Sequence, residues 1–356
     1  MRRHAASTTG VTLIELMVGL AVGLFVAVVA ISLFASTRTL AGVGTAGTRM
    51  SENGRLAMDL LHHDLRGAGF QGCKSQQALA PISTLNAGNQ FLGGTSGIAG
   101  FHGDGGGFSP NLSSAFTAPA IAALAKPLAD SDVLSMRVPI ESLSLGLKTS
   151  MTVATGTPQV GTNVIPAGTI RQGSIVLIGN CKAAAIFQVT EADPAATGAL
   201  SHAVAGPDAP GNAALNLQHV FHGDTTIWQL QTHHYFVADS VARKGTRSLW
   251  RYAFPPSPGK AEPDLEEVAA GIERMNITFG IAKPGERNLS RYVHAGNVSN
   301  WDEVVTVRVQ LLAATTKDGV SRSLQTVSFA GSDVQSTDHR LRSALTDVVT
   351  LRNHAQ

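Results

Sequence analysis

The stretch TTGVTLIELMVGLAVGLFVAVVAISLFAS, Thr8 to Ser36, decides how the rest of the chain is read. From Val11 to Ala35 it is almost unbroken apolar sequence, and a helix over those positions would rise about 37 Å, enough to cross a hydrocarbon core of about 30 Å. The ten residues ahead of it are short and basic, with Arg2 and Arg3, so positive charge holds the N-terminus on the cytoplasmic side and the rest of the chain lies outside. The run is longer than the apolar core of an ordinary secretory signal. Glu15 breaks the pattern. A carboxylate at membrane depth is costly unless it has a partner, so this position demands one.

The bulk numbers narrow the classes. The chain has 356 residues, 15% of them charged, with a net charge of +2, room for one large or two modest domains. No dense Lys/Arg block provides a footprint for nucleic acid, and aromatics at 5% are too few for a broad base-stacking platform. The two cysteines, Cys73 and Cys181, fall on the oxidising side of the membrane, which favours a single disulfide over two separate buried thiols. Two cysteines alone make a poor zinc site.

Beyond the apolar run, STRTLAGVGTAGTRMSENG (36–54) is polar and carries Gly42, Gly44, Gly47 and Gly54, which predicts a loosened helix. Helical periodicity returns in RLAMDLLHHDLRGAGF (55–70). There Leu56, Ala57, Leu60, Leu61, Leu65 and Ala68 recur at three- and four-residue spacing, opposite Asp59, His62, His63 and Arg66. Gly67 and Gly69 supply the stop. Residues 80–130 read as loop. Strand-like runs then dominate: DVLSMRVPI (132–140), GSIVLIGN (173–180), AAIFQVT (184–190), TIWQLQTHHYFVAD (226–239), RSLWRYAF (247–254), NITFGIA (276–282), EVVTVRVQLLAAT (303–315) and SLQTVSFAG (323–331). In VVTVRVQLL, Val305, Val307, Val309 and Leu311 alternate with Thr306, Arg308 and Gln310, as in a half-buried antiparallel strand. A short helix is expected over DLEEVAAGIERM (264–275), with acidic residues in its first turn. The fold class is α+β: a long N-terminal helix, then antiparallel sheet.

Candidate chemistry is sparse. GVGTAG (42–47) matches the dinucleotide fingerprint by letter, but a membrane-length helix precedes it where the fingerprint needs a strand. FHGD occurs at 101–104 and again at 221–224, so His102, Asp104, His222 and Asp224 could form a metal or acid–base site; their glycine-rich contexts favour loop residues instead. His233 and His234, adjacent in a strand, point to opposite faces, and His62 and His63 are poorly placed on a helix to share an ion. No hydrolase, metalloprotease or phosphate-binding motif occurs, so neither catalysis nor a cofactor or metal is expected. Four sequons, at Asn111, Asn276, Asn288 and Asn297, would matter only in a eukaryotic secretory route, to which nothing else points.

Gly10 followed by VTLIELMVGLAVG closely resembles the class III signal of type IV prepilins. The resemblance implies a leader over 1–10, cleaved between Gly10 and Val11 by prepilin peptidase, then N-methylation of Val11. Valine departs from the phenylalanine or methionine commoner at that place. Residues 11–35 become the transmembrane and assembly helix, 36–70 its soluble half, and 71–356 a periplasmic β-rich domain. Glu15 becomes the fifth mature residue, whose carboxylate meets the α-amine of a neighbouring subunit, which relieves the cost of burying either charge alone. SENGRLAMDLLHHDLRGAGFQGC, SIVLIGNCKAAAIFQVT, VAAGIERMNITFGI, WDEVVTVRVQLLAAT and VVTLRN resemble the PilW family of minor pilins. Membership implies a low-abundance subunit that joins other minor pilins and the major pilin. Together the minor pilins form a priming complex that initiates pilus assembly at the inner membrane, ends at the pilus tip, can carry a tip adhesin and meets the assembly platform. The rivals are a pseudopilin of type II secretion and a membrane-tethered binding module that does not polymerise.

Overall fold

In the computed structural model, residues 10–72, 81–86, 96–112, 125–205, 210–255, 264–283 and 288–353 are described. A single helix, α1, runs from Leu13 to Gly67. It is continuous through Gly42, Gly44, Gly47 and Gly54, against the loosening expected there. Gly54 shows one reason. It is buried, and a Cβ at that position would stand 2.6 Å from Leu345 Cδ1 and 3.6 Å from the Ala313 Cβ, so this glycine lets the helix lie close on the sheet beneath it. Tertiary contact there overrides the propensity cost of about 1 kcal/mol. The helix ends where Ala68 turns extended, with its carbonyl accepting a 2.8 Å bond from Asn353 Nδ2.

The strands are β1 (Ile82–Ser83), β2 (Ile98–Gly103), β3 (Phe108–Ser109), β4 (Val133–Gly146), β5 (Ile175–Gly179), β6 (Ala184–Gln188), β7 (Thr226–Asp239), β8 (Arg247–Phe254), β9 (Asp264–Ala270), β10 (Ile272–Ala282), β11 (Leu289–Val293), β12 (Val304–Ala314), β13 (Thr326–Phe329), β14 (Ser332–Gln335) and β15 (Arg342–Thr350). Every run expected to be a strand is one, but residues 80–130, read as loop, also contain β1, β2 and β3, which join the largest sheet at its edges. Among the described residues the strands form three sheets. The largest has nine strands in the order β1-β6-β5-β7-β4-β2-β3, with β8 and β9 branching from β7. The branch arises because β7 is long: residues 226–230 pair with β5, whereas 232–239 pair with β8. A second sheet runs β11-β10-β12-β15, and β13 with β14 forms a two-stranded ribbon. In β12, Val305, Val307, Val309 and Leu311 are buried and Thr306, Arg308 and Gln310 half-buried, as the alternation predicts.

Residues 264–275 are not helical, and this corrects the expectation of a helix there. They form β9, Gly271 and the start of β10. The acidic residues that suggested a helix start are engaged by β8 and its flank: Glu266 accepts from Arg251 Nη2 at 2.7 Å, and Glu267 accepts from the Ser240 and Ser248 hydroxyls at 2.5 and 2.8 Å. Gly271, at φ +83°, carries the chain from the nine-stranded sheet into the four-stranded one. Its N–H donates to Arg247 O at 2.9 Å, and its carbonyl accepts from Ala314 N–H at 2.7 Å. The main core lies where this corner brings the sheets together. Met50, Ala57, Leu61, Leu65 and Ala68 of α1 and its C-cap pack there with Leu134, Tyr235 and Val237 of one sheet and Ile277, Val309 and Leu311 of the other.

Candidate assembly helix and its anchor

The first half of α1 touches nothing else in the chain. Every residue from 10 to 38 is exposed, including Leu13, Leu20, Phe25 and Ile31, and the helix is long and apolar enough to cross a membrane. Its few hydroxyls are satisfied within the helix: Ser32 donates to Val29 O, and Ser36 and Thr37 both donate to Leu33 O, each at 2.8 Å. Such back-bonding removes the need for water. No charge stands between Glu15 and Arg38, a span of about 33 Å along a helix, close to one hydrocarbon thickness. Arg38 marks the far boundary, its guanidinium 4.5 Å from the centroid of the Phe34 ring. Gly19 and Gly23, one turn apart, open a shallow groove beside Leu16, Leu20, Leu24 and Ala27.

At the other boundary, Gly10 and Val11 are exposed and precede the helix, and Thr12 is its N-cap. Glu15 N–H donates to Thr12 Oγ1 at 3.3 Å, and Glu15 Oε2 accepts from Thr12 N–H at 2.9 Å and from Thr12 Oγ1 at 3.0 Å. This reciprocal capping box gives Glu15 a partner within the chain, not weighed in the reading of its charge. The Thr-x-x-Glu spacing just ahead of an apolar run was the signal that could have found it.

The second half of α1 is tied down by a buried polar junction. Asp64, which the helical periodicity assigned to neither face, is 6% exposed. It accepts from Tyr235 Oη at 2.7 Å and pairs with His233 Nδ1 at 2.5 Å, both on β7. His233 Nε2 in turn reaches Gln231 Oε1 at 2.9 Å. Burial pushes the Asp64 carboxyl up, but the bonds from His233 and Tyr235 and the field of Arg251 outweigh it and hold it below the usual carboxylate range. The same burial, with Asp64 beside it, pushes the Tyr235 phenol far up. His234 points away to the opposite face, as expected for neighbours in a strand. It bonds Ser135 Oγ at 2.7 Å, and burial pushes it down to about 3. Further out, Asn53 Nδ2 donates to Ala270 O at 2.9 Å, and His62 Nδ1 pairs with Asp347 at 2.8 Å.

The two FHGD copies are not brought together into one site. In the second, Phe221 is buried while His222 and Asp224 are exposed. In the first, Asp104 closes a turn by accepting from Gly106 and Gly107 N–H at 2.8 and 2.9 Å. His102 instead meets Asp132 at 2.8 Å, with its ring 4.0 Å from that of His294. Burial pushes the Asp132 carboxyl up and the His294 imidazole down, the latter helped by His102. Cys181 lies exposed in the β5–β6 turn and is not a free thiol; Cys73 lies outside the described residues. So do residues 1–9, which hold Arg2 and Arg3.

Comparison with known proteins adds one match. The family model described as type IV pilus-assembly protein W, PilW, matches residues 234–353. That is about a third of the chain, from the second half of β7 through β15 to Asn353, and it includes the whole four-stranded sheet but none of α1. No curated protein and no solved structure matched. Over its C-terminal third, the chain is thus similar to the PilW family of type IV pilus-assembly proteins.

Proposed function

We propose that this chain is a PilW-type minor pilin that joins a priming complex and promotes initiation of pilus assembly, without catalysis of its own. One observation carries the reading. A single 55-residue helix leaves an apolar, membrane-length half fully exposed and packs one face of its other half on a β-rich head, in a chain whose C-terminal third matches PilW. A helix exposing that much apolar surface needs lipid or other helices around it.

On this reading prepilin peptidase cuts between Gly10 and Val11, and the new Val11 amine is N-methylated. Residues 11–35 anchor the subunit in the inner membrane with its head in the periplasm, until neighbouring minor pilins and the major pilin draw it into the fibre. Glu15 then exchanges Thr12 for the N-terminal amine of a neighbour, which fixes the axial register between adjacent helices. Cys73 and Cys181 form a disulfide that joins the end of the helix to the β5–β6 turn. A tip adhesin and the assembly platform complete the set of partners.

Two variants test it in the native host. Gly10→Leu should leave an unprocessed, slower-migrating precursor and no pili. Glu15→Ala should be processed normally yet reduce surface pili at least roughly tenfold, the loss of one ion pair in a low-dielectric setting. Normal maturation of the first variant, or unchanged piliation with the second, overturns the reading.

A further inference from the structure

We propose that His102, Asp132 and His294 form a site for a divalent transition-metal ion of the zinc type, clamping the two large sheets to each other. The three residues come from separate segments: His102 from β2, Asp132 from the residue before β4, and His294 from the residue after β11. β2 and β4 belong to the nine-stranded sheet and β11 to the four-stranded one. Each side chain offers one donor atom, and the three atoms lie within 4.8 Å of one another.

Asp132 is held firmly. Its side chain is 4% exposed, its Oδ2 accepts from Ile277 N–H at 2.6 Å, and its Oδ1 accepts from Gly103 N–H at 3.0 Å besides meeting His102. Ile277 lies on β10, so this carboxylate already bridges the sheets. His294 is the unexplained member. Its Nδ1 is buried and has no hydrogen-bond partner among the described residues, although the ring lies tilted against His102 and near the Ile277 backbone. In the tautomer that leaves this nitrogen unprotonated, its lone pair is free to bind a cation.

Two imidazole nitrogens with one carboxylate oxygen suit zinc and its late first-row neighbours, whereas calcium and magnesium prefer an all-oxygen shell. Nitrogen ligands about 2.0–2.1 Å from a tetrahedral ion stand about 3.3 Å apart, so shifts on the order of 1 Å complete the site. The His102 side chain is 30% exposed, which gives an ion a way in. A fourth position is left for water or for a side chain of a neighbouring subunit.

The test uses the full, tag-free chain in detergent micelles, stripped with a chelator and titrated with Co(II). One equivalent should produce an intense visible absorption band that Zn(II) abolishes, and Zn(II) should raise the thermal midpoint by several degrees. His102→Ala and His294→Ala should each weaken binding by at least roughly 100-fold. If His102→Ala fails to fold, as judged by circular dichroism, His294→Gln at its half-exposed position carries the test. The proposal is overturned by absence of both the band and the thermal shift. It is equally overturned by a band that survives the double substitution, which would put the ion elsewhere.

Discussion

Glu15 caps its own helix through Thr12, and the proposed function gives its carboxylate a second partner, the amine of a neighbouring subunit. The two roles can be separated because glutamine serves in a capping box nearly as well as glutamate but carries no charge. If the charge docks subunits, Glu15→Gln should be as poor in piliation as Glu15→Ala. If the cap alone matters, Glu15→Gln should pilate normally, and Thr12→Ala, which costs a cap about 1 kcal/mol, should mimic Glu15→Ala. At the other end of α1, Asp64 and His234 set the acid response. Asp64 titrates below its unfolded value, so the stability it supplies is full above about pH 4 and is lost as pH falls through its folded value. His234 is kept neutral down to about 3, whereas the unfolded chain takes up that proton below about 6.5. Between those values it makes stability fall with pH, by up to about 1.4 kcal/mol per unit. Urea melts between pH 8 and 4 should show this slope. His234→Gln, which keeps a partner for Ser135, should flatten it; an unchanged slope would assign the acid response elsewhere. The helical pattern could have flagged Asp64, which lies three residues after Leu61 and four before Ala68, on the buried stripe. Nothing local shows how a charge could be accommodated there, because its two partners stand 169 and 171 positions away.

At the scale of elements, α1 shows where local rules suffice and where they do not. The stripe Ala57, Leu61, Leu65, Ala68 was legible because helical spacing alone selects it. Leu56, which the same spacing admitted, is 47% exposed, since it falls at the edge of that face. Gly54 was misread because its cause is Leu345, on a strand nearly three hundred residues later. Gly54→Leu should therefore lower stability by roughly 1–3 kcal/mol through overpacking, although leucine is the better helix former. A rise in the thermal midpoint would show that propensity governs this position. The run at 264–275 fails for a related reason. Glu266 and Glu267 suit the first turn of a helix, but Arg251, Ser240 and Ser248 decide their conformation, and none is local in sequence.

Across the whole molecule, eight of the fifteen strands were legible; β1, β2 and β3 lay in the stretch read as loop, β9 in the expected helix, and β11, β14 and β15 drew no signal. Eight runs announced themselves by alternation and β-branching, while nothing short-range revealed that β9 and β10 part company at Gly271. That corner has little tolerance. A Cβ there would meet Ala314 O at 2.4 Å, in a backbone conformation that only glycine adopts readily. Gly271→Ala should cost several kcal/mol, enough to deplete the folded chain at 37 °C; a thermal midpoint within a degree or two of the parent would show that the corner yields easily. The three residues at the sheet junction, His102, Asp132 and His294, were equally hidden. His102 lay in a repeated tetrapeptide, but its partners belong to other strands, and only the packing of one sheet on the other assembles them.

The bond from Asn353 to the carbonyl of Ala68 spans 285 positions. Synthesis runs in the opposite order to contact. At roughly 5–20 residues per second, about 15 to 60 seconds separate the appearance of the helix end from that of the side chain that closes it. During that interval Leu61 and Leu65 have no sheet to cover them, since β12 and β15 are still unmade. The nascent chain thus passes through a stage in which both halves of α1 display apolar surface. Whatever shields the second half must act before translation ends.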